Sequence, residues 1–182
     1  MQMIKESRIL YFLLLLLLVI GFISVKTTLI KMRKLGQEAD MYFLKVTEIF
    51  DKQRVTLINI ERNLADYYPE IIDSLEGIPD PPEIDYSALI DFTIFSENLH
   101  YQSALMNKIN NTINLIEHFD LDTISNIKLQ VDNIEKGTQE IFSKKENYNY
   151  LAHQHNTYIK KFPRNFYSVF FHFQAKAYFR NE

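Results

Sequence analysis

The chain has no cysteine. That absence removes disulfides, thiolate metal sites, a cysteine nucleophile and a lipidated cysteine anchor together. It leaves the compartment open, because a cysteine-free chain is stable on either side of a membrane. Glycine and proline are scarce, 4 and 5 among 182 residues, so regular elements can run long without interruption. There is no Gly-x-Ser-x-Gly turn to expose a nucleophile. There is no glycine-rich loop to cradle phosphates, which argues against nucleotide use. No β pattern, fixed-length repeat or low-complexity tract occurs.

Aromatic residues are plentiful, with 14 Phe and 11 Tyr, which is ample material for a folded core. The net charge of −3 hides an uneven distribution. Lys26, Lys31, Arg33 and Lys34 form a basic block, residues 35–143 are strongly acidic, and residues 144–182 are basic again. The acidic bulk argues against nucleic acid, whose phosphates need a clustered positive face. The plain reading of the opposed blocks is charge complementarity within one bundle.

Residues 1–8 form a short N-terminal segment. Ile9 to Val25 then run without a charge and include Leu13–Leu18. As a helix this stretch covers roughly 25 Å, close to the apolar thickness of a bilayer. Arg8 and Lys26 bracket it, and Tyr11 sits where an interfacial ring is favoured. A cleaved signal would need small residues after the apolar run, and Phe22-Ile23-Ser24-Val25 is a poor site. Residues 9–25 are therefore expected to be an uncleaved, single-pass transmembrane anchor. Lys26, Lys31, Arg33 and Lys34 outnumber Lys5 and Arg8, so the positive-inside rule places the following domain, residues 26–182, in the cytoplasm.

Beyond the anchor, apolar residues recur in steps of three and four from Leu29 through Phe43, Phe50 and Leu57 to Leu64. This is helical periodicity, and no cap separates it from the anchor. The expectation is one long helix leaving the bilayer and ending near Pro69. Gly77-Ile78-Pro79-Asp80-Pro81-Pro82 is a breaker and reads as a turn. A second helix is expected from about Tyr86 to Phe119, a third from about Thr123 to Phe162, and a short fourth from Arg164 to Phe173. Short connections imply antiparallel neighbours. The expected fold is all-α: a transmembrane helix continuing into an antiparallel bundle of long helices.

In the third helix Tyr148, His155 and Phe162 are spaced by seven and share a face. Asn149 and Asn156 form an adjacent stripe. Buried amides need partners, so these are expected to fix the register of a facing helix. Phe162 and Pro163 then end the helix and turn an aromatic tail back onto the bundle.

The stretch from Tyr148 to Phe179 resembles the LemA family of bacterial membrane-anchored proteins. The resemblance rests on Tyr148-Asn149, His155-Asn156 at a second Tyr-Asn position, Ile159, Phe162-Pro163 and the closing Tyr178-Phe179. Arg54, Leu57 and Ile58 look like the family's Arg-x-x-Leu-Ile segment. Where the family continues Pro-Asn-Leu, this chain has Asn59-Ile60-Glu61, and His172 and Ser168 stand at a family Gly and Ala. The resemblance implies a long-helix bundle at a membrane and brings no activity to transfer.

Other chemistry is poorly supported. His153 and His155 lie two apart, so on a helix they point away from each other and cannot share a metal. Asp80, Glu83 and Asp85 lack the glycine pivot and spacing of a calcium loop. No cofactor or catalytic residue is expected. The expected function is a membrane-anchored, non-catalytic helical scaffold or adaptor with a protein partner or a homo-oligomer. The alternative is a membrane-tethered sensor that binds a ligand or partner between helices.

Overall fold

The computed structural model describes residues 2–67, 77, 79–82, 90–119, 125–161 and 163–179, with side chains from residue 11 onward apart from 66, 67 and 125. Among the described residues there are four helices and no strand. They are α1 (Gln2–Tyr67), α2 (Phe92–His118), α3 (Ser125–Lys160) and α4 (Arg164–Phe170). The fold is all-α.

Helix α1 has 66 residues and is therefore about 100 Å long. Its first third includes a segment long and apolar enough to cross a membrane. Leu13 to Leu18 are 45–68 % exposed, so nothing among the described residues covers them. Burial begins at Met32 and continues through Ala39, Phe43, Val46, Phe50, Leu57, Ile60 and Leu64. These steps of three, four and seven keep one stripe facing the partners over the whole length. No cap or glycine-proline break interrupts the transition, so apolar segment and bundle share one rod. Val25 and Met32 are separated by about 10 Å of helix rise.

Helix α3 lies antiparallel to α1. Asn63 meets Gln130, Gln53 meets Ile134 and Thr138, and Lys31 meets Tyr158. Helix α2 runs parallel to α1, because Phe43 meets Phe95, Thr47 meets Asn98 and Glu61 meets Lys108. The short-connection rule anticipated antiparallel neighbours here. The chain instead travels back between Tyr67 and Asp91, a return of about 36 Å measured along α1 from residue 67 to residue 43. The proline-rich segment read as a turn belongs to this return. Arg54 holds it against the middle of α1, donating from Nε to the Pro79 carbonyl at 3.0 Å and pairing with Asp80 at 2.5 Å.

Helix α2 starts later than the expected Tyr86. Asp91 is extended, and its carboxylate accepts from the Ile94 amide at 2.9 Å, so helical geometry starts at Phe92. Helix α3 spans Ser125–Lys160 against an expected 123–162. Helix α4 ends at Phe170 instead of Phe173. It closes with two hydrogen bonds, Phe173 N–H to the Ser168 carbonyl at 2.8 Å and His172 N–H to the Val169 carbonyl at 3.3 Å. These form a Schellman ending, which requires a left-handed residue after the cap. That residue is His172, with φ of 56°. Residues 173–179 then run extended back along the bundle.

Candidate functional site

The motif residues of α3 converge on the extended tail. The Asn149 side chain donates to the Phe179 carbonyl at 2.9 Å and accepts from the Phe179 amide at 2.8 Å. Asn156 does the same at Lys176, donating to its carbonyl at 2.8 Å and accepting from its amide at 2.7 Å. It also donates to the Tyr178 hydroxyl at 3.0 Å. Each carboxamide thus offers the tail the donor–acceptor pair that a neighbouring strand would offer.

The spacing has a physical reason. Seven helical residues rise about 10.5 Å, and three extended residues span about 10 Å. Asn149 and Asn156 on α3 therefore match residues 179 and 176 of a strand running the other way. The expectation that these amides set the register of a facing helix is corrected in its partner: they set the register of an extended tail segment. A strand exposes its amide and carbonyl sideways, whereas a helix has already consumed its own.

Phe179 is the end of this docking. Its ring enters a cluster with Phe43 from α1, Phe95 from α2 and Tyr148 from α3, with centroid separations of 5.0 to 6.2 Å. All four are buried. Every long element and the tail thus contribute a ring to one knot. The Lys145 ammonium lies 5.0 Å from the Phe179 ring centre. Burial pushes the Tyr148 hydroxyl well above the ordinary phenolic range, with the Asp40 charge adding to the effect.

The tail is also held electrostatically. Lys176 reaches across to α1, where its ammonium meets the Asp40 carboxylate at 2.5 Å, and it also donates to the Ile90 carbonyl just before α2 at 3.2 Å. Both side chains are nearly enclosed, at 10 % and 13 % exposure. Burial raises the Asp40 carboxyl above the usual carboxylate range although Lys176 pulls it down. A buried pair of this kind adds little net stability, but losing one partner strands the other.

His155 is buried beside Asn156, with its ring over Gly36. Desolvation holds its imidazole below the ordinary histidine value; the hydrogen bond to Asn156 opposes this and the Lys176 charge reinforces it. His153 is exposed and His155 enclosed, so the two imidazoles face different surroundings. Ile159 and Leu57 are buried core residues, and Ile58 is half-buried. Pro163 precedes α4 at its N-cap position. Phe162 lies outside the described residues.

Several side chains that carry the assembly give weak sequence signals. Gln53 is buried in α1, and its amide donates to the Ile134 carbonyl at 2.9 Å and to the Thr138 hydroxyl at 3.0 Å. Gly137 makes room for it: a Cβ there would stand 3.1 Å from the Gln53 amide nitrogen. A lone glycine inside a long helical pattern was the available clue. Lys176 and Asp40 are 136 positions apart, and no local pattern links them.

Neither a family model, nor a curated protein, nor a solved structure matches this chain.

Proposed function

We propose that the chain is a membrane-anchored, non-catalytic helical scaffold or adaptor of the LemA type, with its bundle in the cytoplasm. The observation that carries this reading is where the motif goes. Asn149, Asn156, Tyr148 and Phe179, the most specific elements of the LemA resemblance, are consumed in fastening the tail to the core. Residues spent on one another leave little chemistry for a substrate. His172 supports the same resemblance, because its left-handed backbone stands where the LemA pattern has glycine.

The rigid connection also supports a scaffold. Helix α1 passes from the apolar segment into the bundle without a break, so the bundle's position follows from the anchor. Orientation rests on Lys26, Lys31, Arg33 and Lys34 against Lys5 and Arg8.

The test is chemical crosslinking of the full chain in intact membranes, followed by purification and identification of what is attached. A scaffold is expected to carry a defined partner or a ladder of its own multiples. A chain recovered only as an uncrosslinked monomer, under conditions that crosslink known neighbours, would sink the proposal. Carbonate washing supplies the separate check on the anchor, and release into the supernatant would overturn it.

A further inference from the structure

The short helix α4 behaves unlike the rest of the bundle. The aromatic tail was expected to turn back onto the bundle, yet Phe166, Val169 and Phe170 are 65 %, 77 % and 78 % exposed, and Phe171 is 46 % exposed. The residue α4 does bury is Ser168. A segment that turns its hydroxyl inward and a run of aromatic and apolar side chains outward presents an interaction surface.

Its location explains the inversion. The Arg164 guanidinium packs 4.0 Å from the Tyr158 ring centre, and the Lys31 ammonium lies 5.0 Å from the same ring. This fixes α4 at the low end of the bundle, beside the part of α1 that follows the apolar segment. Phe171 lines a groove of about 650 Å³ together with Phe22, Val25, Leu29 and Ile30. Phe22 and Val25 belong to the last turn of the apolar segment itself. The turn after α4 therefore reaches the level at which α1 would leave the hydrocarbon.

The charge at this level is predominantly positive. Lys26, Arg33 and Lys34 line the same groove, Lys31 and Arg164 flank the Tyr158 ring, and Lys160 and Lys161 lie between Tyr158 and Arg164 in the chain, so both basic blocks of the sequence meet here. Residues 26–37 and 147–179 contain no Asp or Glu. Internal complementarity absorbs Lys176, which pairs with Asp40, and Lys34, which meets Glu38 at 3.8 Å on the surface, but it leaves Lys26, Lys31, Lys160, Lys161 and Arg164 together.

From the exposed rings, their height and the cation ring, we propose that α4 and its following turn form a foot that inserts into the bilayer interface. Its basic rim faces anionic headgroups of the leaflet from which α1 emerges. This rests on the anchor reading above. The foot would give the bundle a second membrane contact, fixing its rotation about α1 as well as its height. Aromatic side chains with nearby cations suit that zone, where rings lie at headgroup depth and Lys or Arg meet phosphate.

The chain contains no tryptophan, so single replacements report without background. Full-length Phe170→Trp, Leu15→Trp and Tyr150→Trp variants are reconstituted in vesicles of phosphatidylcholine and phosphatidylglycerol, with and without brominated acyl chains. An interfacial segment buries its apolar face roughly 5–10 Å, so brominated lipid is expected to remove about half or more of the Phe170→Trp emission. The Leu15→Trp variant is quenched as an anchor residue, and Tyr150→Trp, exposed on α3 near the level of Phe43 and well above the foot, is not. Quenching of Leu15→Trp with none of Phe170→Trp would overturn the foot and leave the anchor standing. Absence of quenching in both would overturn the anchor reading itself. If Phe170→Trp is shielded from acrylamide but indifferent to brominated lipid, protein covers this face and the proposal fails. Equal quenching in vesicles lacking phosphatidylglycerol would overturn the role of the basic rim.

Discussion

Replacing Asn156 by alanine tests the tail clamp most directly. The side chain makes three hydrogen bonds to the tail, at 2.8, 2.7 and 3.0 Å. Asn156 is only 5 % exposed, so water is poorly placed to substitute. An ordinary hydrogen bond contributes about 0.5–1.5 kcal/mol net, whereas stranding a buried partner costs about 1–3 kcal/mol. Alanine strands both the amide and the carbonyl of Lys176. Partial solvation of the loosened tail limits the loss, so the expected cost is about 2–4 kcal/mol. Asn149→Ala removes two such bonds and is expected to cost about 2–3 kcal/mol. Against a total of about 5–15 kcal/mol, either change is large.

The assay is chemical denaturation of the full-length chain in detergent, followed by circular dichroism, with hydrogen exchange read over residues 174–179. The Lys176 and Phe179 amides should lose protection in their respective variants. The double variant should cost less than the sum, because releasing one end of a strand weakens the other clamp. Asn147→Ala is the control. Its amide is exposed and bonds to the Ser143 carbonyl within its own helix, so a change within about 0.5 kcal/mol is expected. A chain truncated before Lys176 should be insensitive to Asn156→Ala. If the truncated chain loses as much as the intact one, or if tail protection survives the substitution, the clamp argument is refuted.

The two bundle glycines of α1 and α3 should respond oppositely to alanine. At Gly36 a Cβ would meet the His155 ring at 3.5 Å, an ordinary contact, so Gly36→Ala should raise stability by about 0.8–1 kcal/mol through helix propensity. At Gly137 it would meet the Gln53 amide at 3.1 Å, and that amide is pinned by two hydrogen bonds, so Gly137→Ala should bring no gain or a loss in thermal melts. His172→Gly should stabilise the chain by about 1–2 kcal/mol, because it relieves a left-handed backbone that non-glycine residues adopt at a cost; a lower melting temperature would contradict this. His155 should make stability fall with acidification. Its folded-state value is depressed, so its contribution is complete above the unfolded value near 6.5 and is lost as pH falls below it. His155→Gln should flatten the melting temperature between about pH 7 and 5, and an unchanged slope would assign it to another group; Asp40, whose carboxyl is raised by burial, acts in the opposite direction.

The sequence showed its helices because a packed helix repeats its apolar residues, and α1 repeats them from Met32 to Leu64. It showed less about direction. Pro79, Pro81 and Pro82 announce that a helix stops, but a short turn and a long return use the same residues. The clue to the return was Arg54, half-buried in α1, whose guanidinium needed an acceptor on the segment passing it. The seven-residue interval of Asn149 and Asn156 was legible as register, since buried amides must be answered. What answered them was not, because helix and strand partners share no signature in a single helix's pattern.

The tail shows why the remainder stayed hidden. Residues 164–179 carry seven Phe and Tyr among sixteen residues, and composition alone asks for all of those rings to be buried. The structure sorts them by position along α1. Phe179, at the height of Phe43, finds rings from three helices and is buried; Phe170 and Phe171, near the height of Phe22, find no such enclosure and are exposed. That sorting depends on Asn149 and Asn156 fixing which tail residue reaches which level. A tail slipped by one residue would send Tyr178 towards the aromatic knot, reverse the sides of an extended strand and separate Lys176 from Asp40. The two amides therefore decide more than stability: they determine that the last phenylalanine faces the core while the preceding turn faces the end of the apolar segment.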